Sequence, residues 1–329
     1  MPINKLKLFS SVVLASVVMA TSSHATEKWD IYTYNSSPTV PAVQGLEAMS
    51  KKLEETTGGE LKLRVHLGGS LPISGSNITQ AVSDDIVQMG DDVFVTGSVP
   101  IAGLLWLPML IQDMDEMETA SEIVMPYVEK IFAERDIIIL AEYIYPLSMP
   151  WSTKPLVSLE DLKDQKLRVN NAEQGEFVRR FGGTPITMTT AEVVTALDRN
   201  VIDGVFTATA GSGYLWRDLL QSNYRLGLSY AISYLTVNKD RFEGLSPEMQ
   251  EQLRTAAVEA GGKITATLQE REEALTDELA SGILDVTYPA EEEVGRATEV
   301  MSSYWESWAA ERGDDAVKAL ADVRAALGR

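Results

Sequence analysis

Residues 29–35, WDIYTYN, alternate apolar and polar positions and read as an opening strand. Pro38 and Pro41 lead into a helical stretch with Val43, Leu46, Met49 and Leu53 on one face, ended by Gly58-Gly59. Residues 60–67 are a second strand, followed by the turn GGSLP. Residues 77–82 form a short helix and 86–89 a short strand. Strands alternating with helices predict an α/β unit with a mainly parallel sheet. The apolar run PIAGLLWLP at 100–108 reads as buried loop or short helix, 117–133 as a helix, and IIILAEYIYP at 137–146 as the longest strand signal.

A second α/β pattern follows. Ser158-Leu159-Glu160-Asp161 has the form of a helix start, with an acidic residue at the third position. A strand at 166–169, a helix at 173–181 and Gly182-Gly183 come next. Thr189 and Glu192 make a capping box for the helix AEVVTALDR, which Asn200 ends. VIDGVFTA is a turn and strand, and LGLSYAISYLTVN at 226–238 is again a long strand. Ser246-Pro247 starts a helix running towards Asp277, with Gly261-Gly262 as a weak point. ILDVTYP is a late strand, and two helices close the chain. The two long strands near 137–146 and 226–238 imply two crossings between two lobes. The expected boundaries are 26–146 for lobe 1, with a return segment at 232–275, and 147–231 for lobe 2, with residues 280–329 packing on both. Small ligands bind in clefts of this kind.

The N-terminus changes the picture of where the protein works. Lys5 and Lys7 precede an apolar run of 13 residues, LFSSVVLASVVMA, and then the small-x-small site Ser23-His24-Ala25. Residues 1–25 therefore read as a Sec signal peptide, and the mature chain is expected in the periplasm, not inserted in the membrane. The chain has no cysteine, which excludes thiol nucleophiles, disulfides, zinc ribbons and iron–sulfur clusters. His66 is the only histidine outside the leader and reads as structural; no metal site and no cofactor are expected. Formal net charge is −20, and −22 once Lys5 and Lys7 are removed. Nucleic acid and anionic membranes are poor partners for such a surface.

One residue breaks the hydrophobic pattern. In KLRVNN, Leu167 and Val169 read as buried strand, and Arg168 lies between them at the C-terminal end of a strand, just before a helix. Ligands of open α/β sheets bind there, and the guanidinium fork matches a carboxylate. On residue pattern alone, a structural ion pair with an acidic neighbour and a ligand anchor are equally open.

The segments EETTGGELKLRVHLGGSL, EDLKDQKLRV, FGGTPITMTTAEVVTALDRNVIDG and LTVNKDRFEGLSPEMQEQL, in this order, resemble the periplasmic solute-binding subunit of tripartite ATP-independent periplasmic (TRAP) transporters, of the DctP type. The resemblance runs from about residue 28 to the end. It implies a two-lobe periplasmic binding protein fold with a hinged cleft and a long C-terminal helix. It also implies a monomeric receptor that hands a small organic acid to TRAP membrane subunits for ion-driven uptake. Arg168 is the position of the family's carboxylate-binding arginine. Two departures matter. The place of a second, upstream arginine falls on Ser148, and the family's Glu-Asn after the Asp-Gly turn is replaced by Val205-Phe206-Thr207-Ala208-Thr209. A highly anionic sugar acid or dicarboxylate is then disfavoured, and an aromatic or aliphatic monocarboxylate or an amino-acid-like zwitterion is expected.

The candidate binding residues are Arg168, Trp151, Ser148, Asn35, Asp92, Thr207, Thr209, Phe206 and Trp216, with Tyr145, Met149 and Tyr214 as further cleft aromatics and apolar groups. Thr207 and Thr209 are expected to share one face of a strand. Asp91 is expected in a solvated turn. An enzyme is disfavoured: Asp91 and Asp92, as neighbours on a strand, point to opposite faces, and no G-x-S-x-G, H-E-x-x-H or P-loop is present. A ligand-sensing receptor of a signalling system would share the same fold.

Overall fold

The opening alternation becomes β1 (Glu27–Thr33), with Trp29, Ile31 and Tyr32 buried. The computed structural model describes residues 26–329, so the export segment expected over 1–25 lies outside the described residues. Then come α1 (Pro41–Thr56), β2 (Leu61–His66), α2 (Ile78–Ser83), β3 (Met89–Asp92), α3 (Met114–Ala133) and β4 (Ile137–Tyr145). Proline opens α1 where its missing N–H has no helical partner to lose, and the helix buries Val43, Leu46, Met49 and Leu53 against the sheet. The run at 100–108 is a buried 3₁₀ turn, Pro100–Trp106. His66 is structural: its Nε2 stands 2.8 Å from Asp30.

The chain next forms β5 (Met149–Ser152), β6 (Lys166–Val169), α4 (Ala172–Arg180), β7 (Thr184–Thr187), α5 (Val193–Asp198), β8 (Gly204–Thr207), α6 (Tyr214–Trp216) and β9 (Ser222–Tyr224). The capping boxes Ser158/Asp161 and Thr189/Glu192 both form, each opening with a 3₁₀ turn. β10 (Ala231–Asn238) and α7 (Lys239–Glu243) follow, and α8 (Pro247–Ala280), β11 (Asp285–Thr287), α9 (Glu291–Arg312) and α10 (Asp314–Ala326) end the chain.

These strands make two mixed sheets, in the orders β2-β1-β3-β10-β4 and β11-β9-β5-β8-β6-β7. The successive β/α units pair in parallel, β1 with β2 and β3, and β6 with β7 and β8. Strands that border the crossings run antiparallel: β10 to β3 and β4, and β5 to β8 and β9. All eight residues of β10 are buried, as befits a strand inserted between two others and covered on both faces. The connections after β4 and before β10 pair with each other. Ser148 N–H donates to the Ser229 carbonyl (2.8 Å), and Leu228 N–H donates to the Ser148 carbonyl (2.9 Å). This short ladder joins the two connections between the sheets.

Three expectations change here. The strand expected at 86–89 starts at Met89 and runs through Asp91 and Asp92, because residues 84–88 complete a turn in which Asp85 has φ 55°. Asp91 is consequently buried, not solvated: hydroxyls of Thr33, Tyr143 and Ser233 donate to its carboxylate and replace water. Gly261-Gly262, the expected weak point, lies inside an unbroken 34-residue helix. A Cβ on Gly261 would stand 2.4 Å from the Glu142 carbonyl oxygen, so the glycine lets α8 lie directly on the sheet-edge strand β4. Thr265 on the same helix accepts the Ile144 N–H (2.9 Å) and covers that edge. α8 starts against α1 and β4 and ends against β11 and the turn Thr209–Gly213, so it spans both halves. α9 also bridges them, with its Trp305 donating to the Pro108 carbonyl (2.9 Å) and its Trp308 to Glu173 on α4 (2.8 Å).

Candidate ligand-binding site

β6 is four residues long, and Leu167 and Val169 anchor it in the core. Arg168 therefore points to the other face, where it is 2% exposed. Its Nε donates to the Met188 carbonyl (3.0 Å), its Nη1 reaches the Phe206 carbonyl only at 3.5 Å, and its Nη2 is buried with no hydrogen-bond partner. No carboxylate pairs with it among the described residues, which removes the structural ion pair as an explanation. Desolvation pulls the guanidinium down to about 10, against the opposing pull of Tyr34 and Glu192. The group stays charged at neutral pH, but its burial is uncompensated, and that is costly.

Arg168 faces a small cavity between the two sheets. The wall from the first sheet is Tyr34, Asn35, Val93, Phe94 and Trp106, which follow the C-terminal ends of β1 and β3 or come from the buried 3₁₀ turn. The opposite wall is Arg168, Asn170, Thr190, Thr207, Ala208, Gly211 and Ser212. Tyr145, Ser148 and Ala231, at and beside the short ladder, close the floor. The Tyr34 hydroxyl donates to that of Tyr145 (2.6 Å), and burial pushes the Tyr145 phenol up to about 12, so both stay neutral. A wider recess outside shares Phe94 and Asn170 with this cavity, so these two side chains form the partition between them. Beyond the partition the halves come close: a methyl group on Gly75 would lie 3.4 Å from the Thr189 methyl.

Residues 32–312 match the family model for bacterial extracellular solute-binding protein, family 7. The chain belongs to this family. Among relatives of this family 7 receptor, the 2,3-diketo-L-gulonate-binding periplasmic protein YiaO of Escherichia coli is 25% identical over 268 residues, which are 78% of this chain and 79% of YiaO. DctP7, a Bordetella pertussis extracytoplasmic solute receptor binding pyroglutamic acid, superimposes with a TM-score of 0.85 at 20% identity, over 91% of this chain and 100% of that one. A Haemophilus influenzae TRAP periplasmic solute-binding protein with bound L-gulonate superimposes at 0.82, with 20% identity over 91% and 99%. The family 7 receptor is thus a TRAP-type solute-binding protein of the two-lobe fold.

Of the sequence candidates, the fold of this receptor brings Asn35, Ser148, Arg168 and Thr207 onto one cavity, together with Tyr145. The other five lie behind its walls. Trp151 is fully buried; its indole N–H donates to the Thr207 carbonyl (2.9 Å) and its ring packs where a side chain on Gly213 would sit. Phe206 faces away, edge-on to Phe177 at 6.0 Å, as the alternation of β8 demands once Thr207 faces the cavity. Trp216 stands 6.0 Å behind the guanidinium. Asp92 is spent on the Thr79 hydroxyl and the Phe94 N–H. Thr209 does not share a strand with Thr207, because β8 ends at Thr207 and Thr209 opens a π-helical turn. Its hydroxyl meets Thr276 and Arg225.

Tyr34, Phe94, Asn170 and Ser212 were not singled out from the sequence. The first three follow strand ends, so extending the strand-end rule by two residues would have found them. Trp106 and Ser212 reach the cavity through turns that hydrophobic periodicity does not describe.

Proposed function

We propose that the protein is the periplasmic receptor of a TRAP uptake system, and that it captures a small organic monocarboxylate and passes it to the membrane subunits. One observation carries this reading: a buried guanidinium lacking a protein carboxylate faces a small cavity. A ligand carboxylate supplies the missing charge and two acceptors in matching geometry. The remaining walls are mostly aromatic, hydroxyl and amide groups, and carry no second cation, so one carboxylate is matched and a second is not. Binding groups on both halves favour the closed arrangement, and ligand binding is then a population shift about the hinge at Ser148 and residues 228–229. Among the described residues no helix is long and apolar enough to cross a membrane, as suits a receptor that must meet its membrane subunits by docking.

The test is a thermal-shift screen of the purified mature chain against aromatic acids, keto acids, amino acids and sugar acids. A ligand at 100 times its Kd stabilises the fold by about 2.7 kcal/mol. The expected result is a shift with monocarboxylates that vanishes in Arg168→Met. A ligand that shifts both proteins equally would show that Arg168 is not the anchor.

A further inference from the structure

The wall opposite Arg168 carries a side chain whose orientation is dictated from behind. Asp91 is fully buried, and three hydroxyls donate to it: Tyr143 (2.8 Å) and Ser233 to one oxygen and Thr33 (2.5 Å) to the other. Burial raises the carboxyl of Asp91, and the three hydroxyl donors and the Asn35 side chain oppose that rise. Thr33 has one proton, and it is committed to Asp91. Its oxygen can therefore only accept, and it does so twice from Asn35, from the backbone N–H (3.1 Å) and from Nδ2 (3.2 Å). The reversed carboxamide would set Oδ1 against an oxygen with no proton between them. So the nitrogen of Asn35 faces Thr33, and the carbonyl Oδ1 is left for the cavity that Asn35 lines. Asn35 is 3% exposed, and its Oδ1 takes no hydrogen bond from the described residues.

We infer that Asn35, oriented by Thr33 and Asp91, presents a fixed hydrogen-bond acceptor across the cavity from Arg168, so that the receptor selects carboxylates bearing an N–H or O–H donor away from the carboxyl group over those with only acceptors there. This rests on Arg168 as the carboxylate anchor. A lactone, ether or ketone oxygen placed against Oδ1 sets lone pair against lone pair in a dry site, whereas a donor completes the chain that starts at Asp91. Sites built to pair one polar group reject the analogue that lacks it more strongly than they reject a missing methylene. Asp91 and Thr33 touch no ligand and are positioning residues.

The test is titration calorimetry with pairs in which one member carries a donor where the other has only an acceptor oxygen: pyroglutamate against 5-oxotetrahydrofuran-2-carboxylate, proline (as its ammonium) against tetrahydrofuran-2-carboxylate, and lactate against 2-methoxypropanoate. In whichever pairs bind, the donor member is expected to bind at least about tenfold tighter. Thr33→Val frees the carboxamide to rotate, and the ratio should fall to within about threefold while carboxylate binding persists; Thr33→Ser should restore the ratio. Equal affinities within every binding pair in the parent protein overturn the inference without needing any variant, and so does an unchanged ratio in Thr33→Val. If binding occurs without donor preference yet is lost in Arg168→Lys, the anchor stands and only this inference falls. If none of the six binds, the anchor reading falls with it.

Discussion

Arg168 and Arg225 are both arginines set between apolar neighbours, Leu167 and Val169 in one case, Tyr224 and Leu226 in the other. Arg168 ends up buried and Arg225 nearly so, with 11% of its side chain exposed, and there the likeness stops. Arg225 pairs with Glu272 at 2.9 Å and also donates to Thr209 (2.8 Å) and Asn223 (3.3 Å). Glu272 in turn accepts the Ala210 N–H (2.8 Å), which ties α8 to the turn that forms part of the cavity wall. Arg168 has one good bond, one long one and an orphaned Nη2. Burial alone does not mark a ligand-binding cation. What marks it is burial with the partners withheld, because the protein bears that cost only where something else supplies the anion.

The largest effect that would break this comparison is on Arg225. Arg225→Met leaves Glu272 buried and unpaired, and the expected loss of stability is about 3–5 kcal/mol, read as a drop in the denaturant midpoint. Adding Glu272→Gln should recover much of it. A wild-type midpoint in the single variant would mean that the pair is not the strut described here. Arg168→Met should behave in the opposite way. It removes an uncompensated charge, so the unliganded protein keeps or gains stability, while carboxylate affinity falls by about 2–5 kcal/mol. Calorimetry and thermal melts on the same samples separate the two effects.

A smaller effect tests the frame that delivers Glu272. Gly261→Ala forces a methyl group into the Glu142 carbonyl and should cost about 1–3 kcal/mol. Its neighbour Gly262 meets open space, and Gly262→Ala should be neutral or stabilising by up to about 1 kcal/mol. If both substitutions behave alike, α8 does not rest on β4 through Gly261.

The smallest effect contrasts buried cation with buried anion. Desolvation raises Asp92 to about 7, against the Thr79 bond that lowers it. Its carboxyl thus binds a proton more tightly folded than unfolded, where the ordinary value is about 3.9. The folded state holds more protons between those limits, so stability is greatest at low pH and is lost as pH rises through 7. Between pH 6 and 7 the loss from this group is on the order of 1 kcal/mol. Asp92→Asn should flatten that slope relative to the parent in melts at matched pH, and an identical slope would exclude Asp92 as its source.

The sequence by itself determined the strand and helix order of the first sheet, both capping boxes and the position of the unusual arginine, but not the short strands β5, β7 and β9. Each of the features it determined is local: periodicity, cap chemistry and turn residues act within a few positions. It also carried the family, through the resemblance of blocks such as KLRV and FGGTPITM. Tertiary structure alone decided which polar residues share a space. Trp151, Phe206 and Trp216 were legible as cleft aromatics, yet they stand behind the wall, because strand alternation and the π-helical turn at Thr209–Gly213 assign their faces. Asp91 read as a solvated turn because its three hydroxyl partners are 58, 52 and 142 residues away. Whether Arg168 or Arg225 finds a protein carboxylate was not legible in sequence for the same reason: a charge is satisfied or left open by groups brought together only when the chain folds.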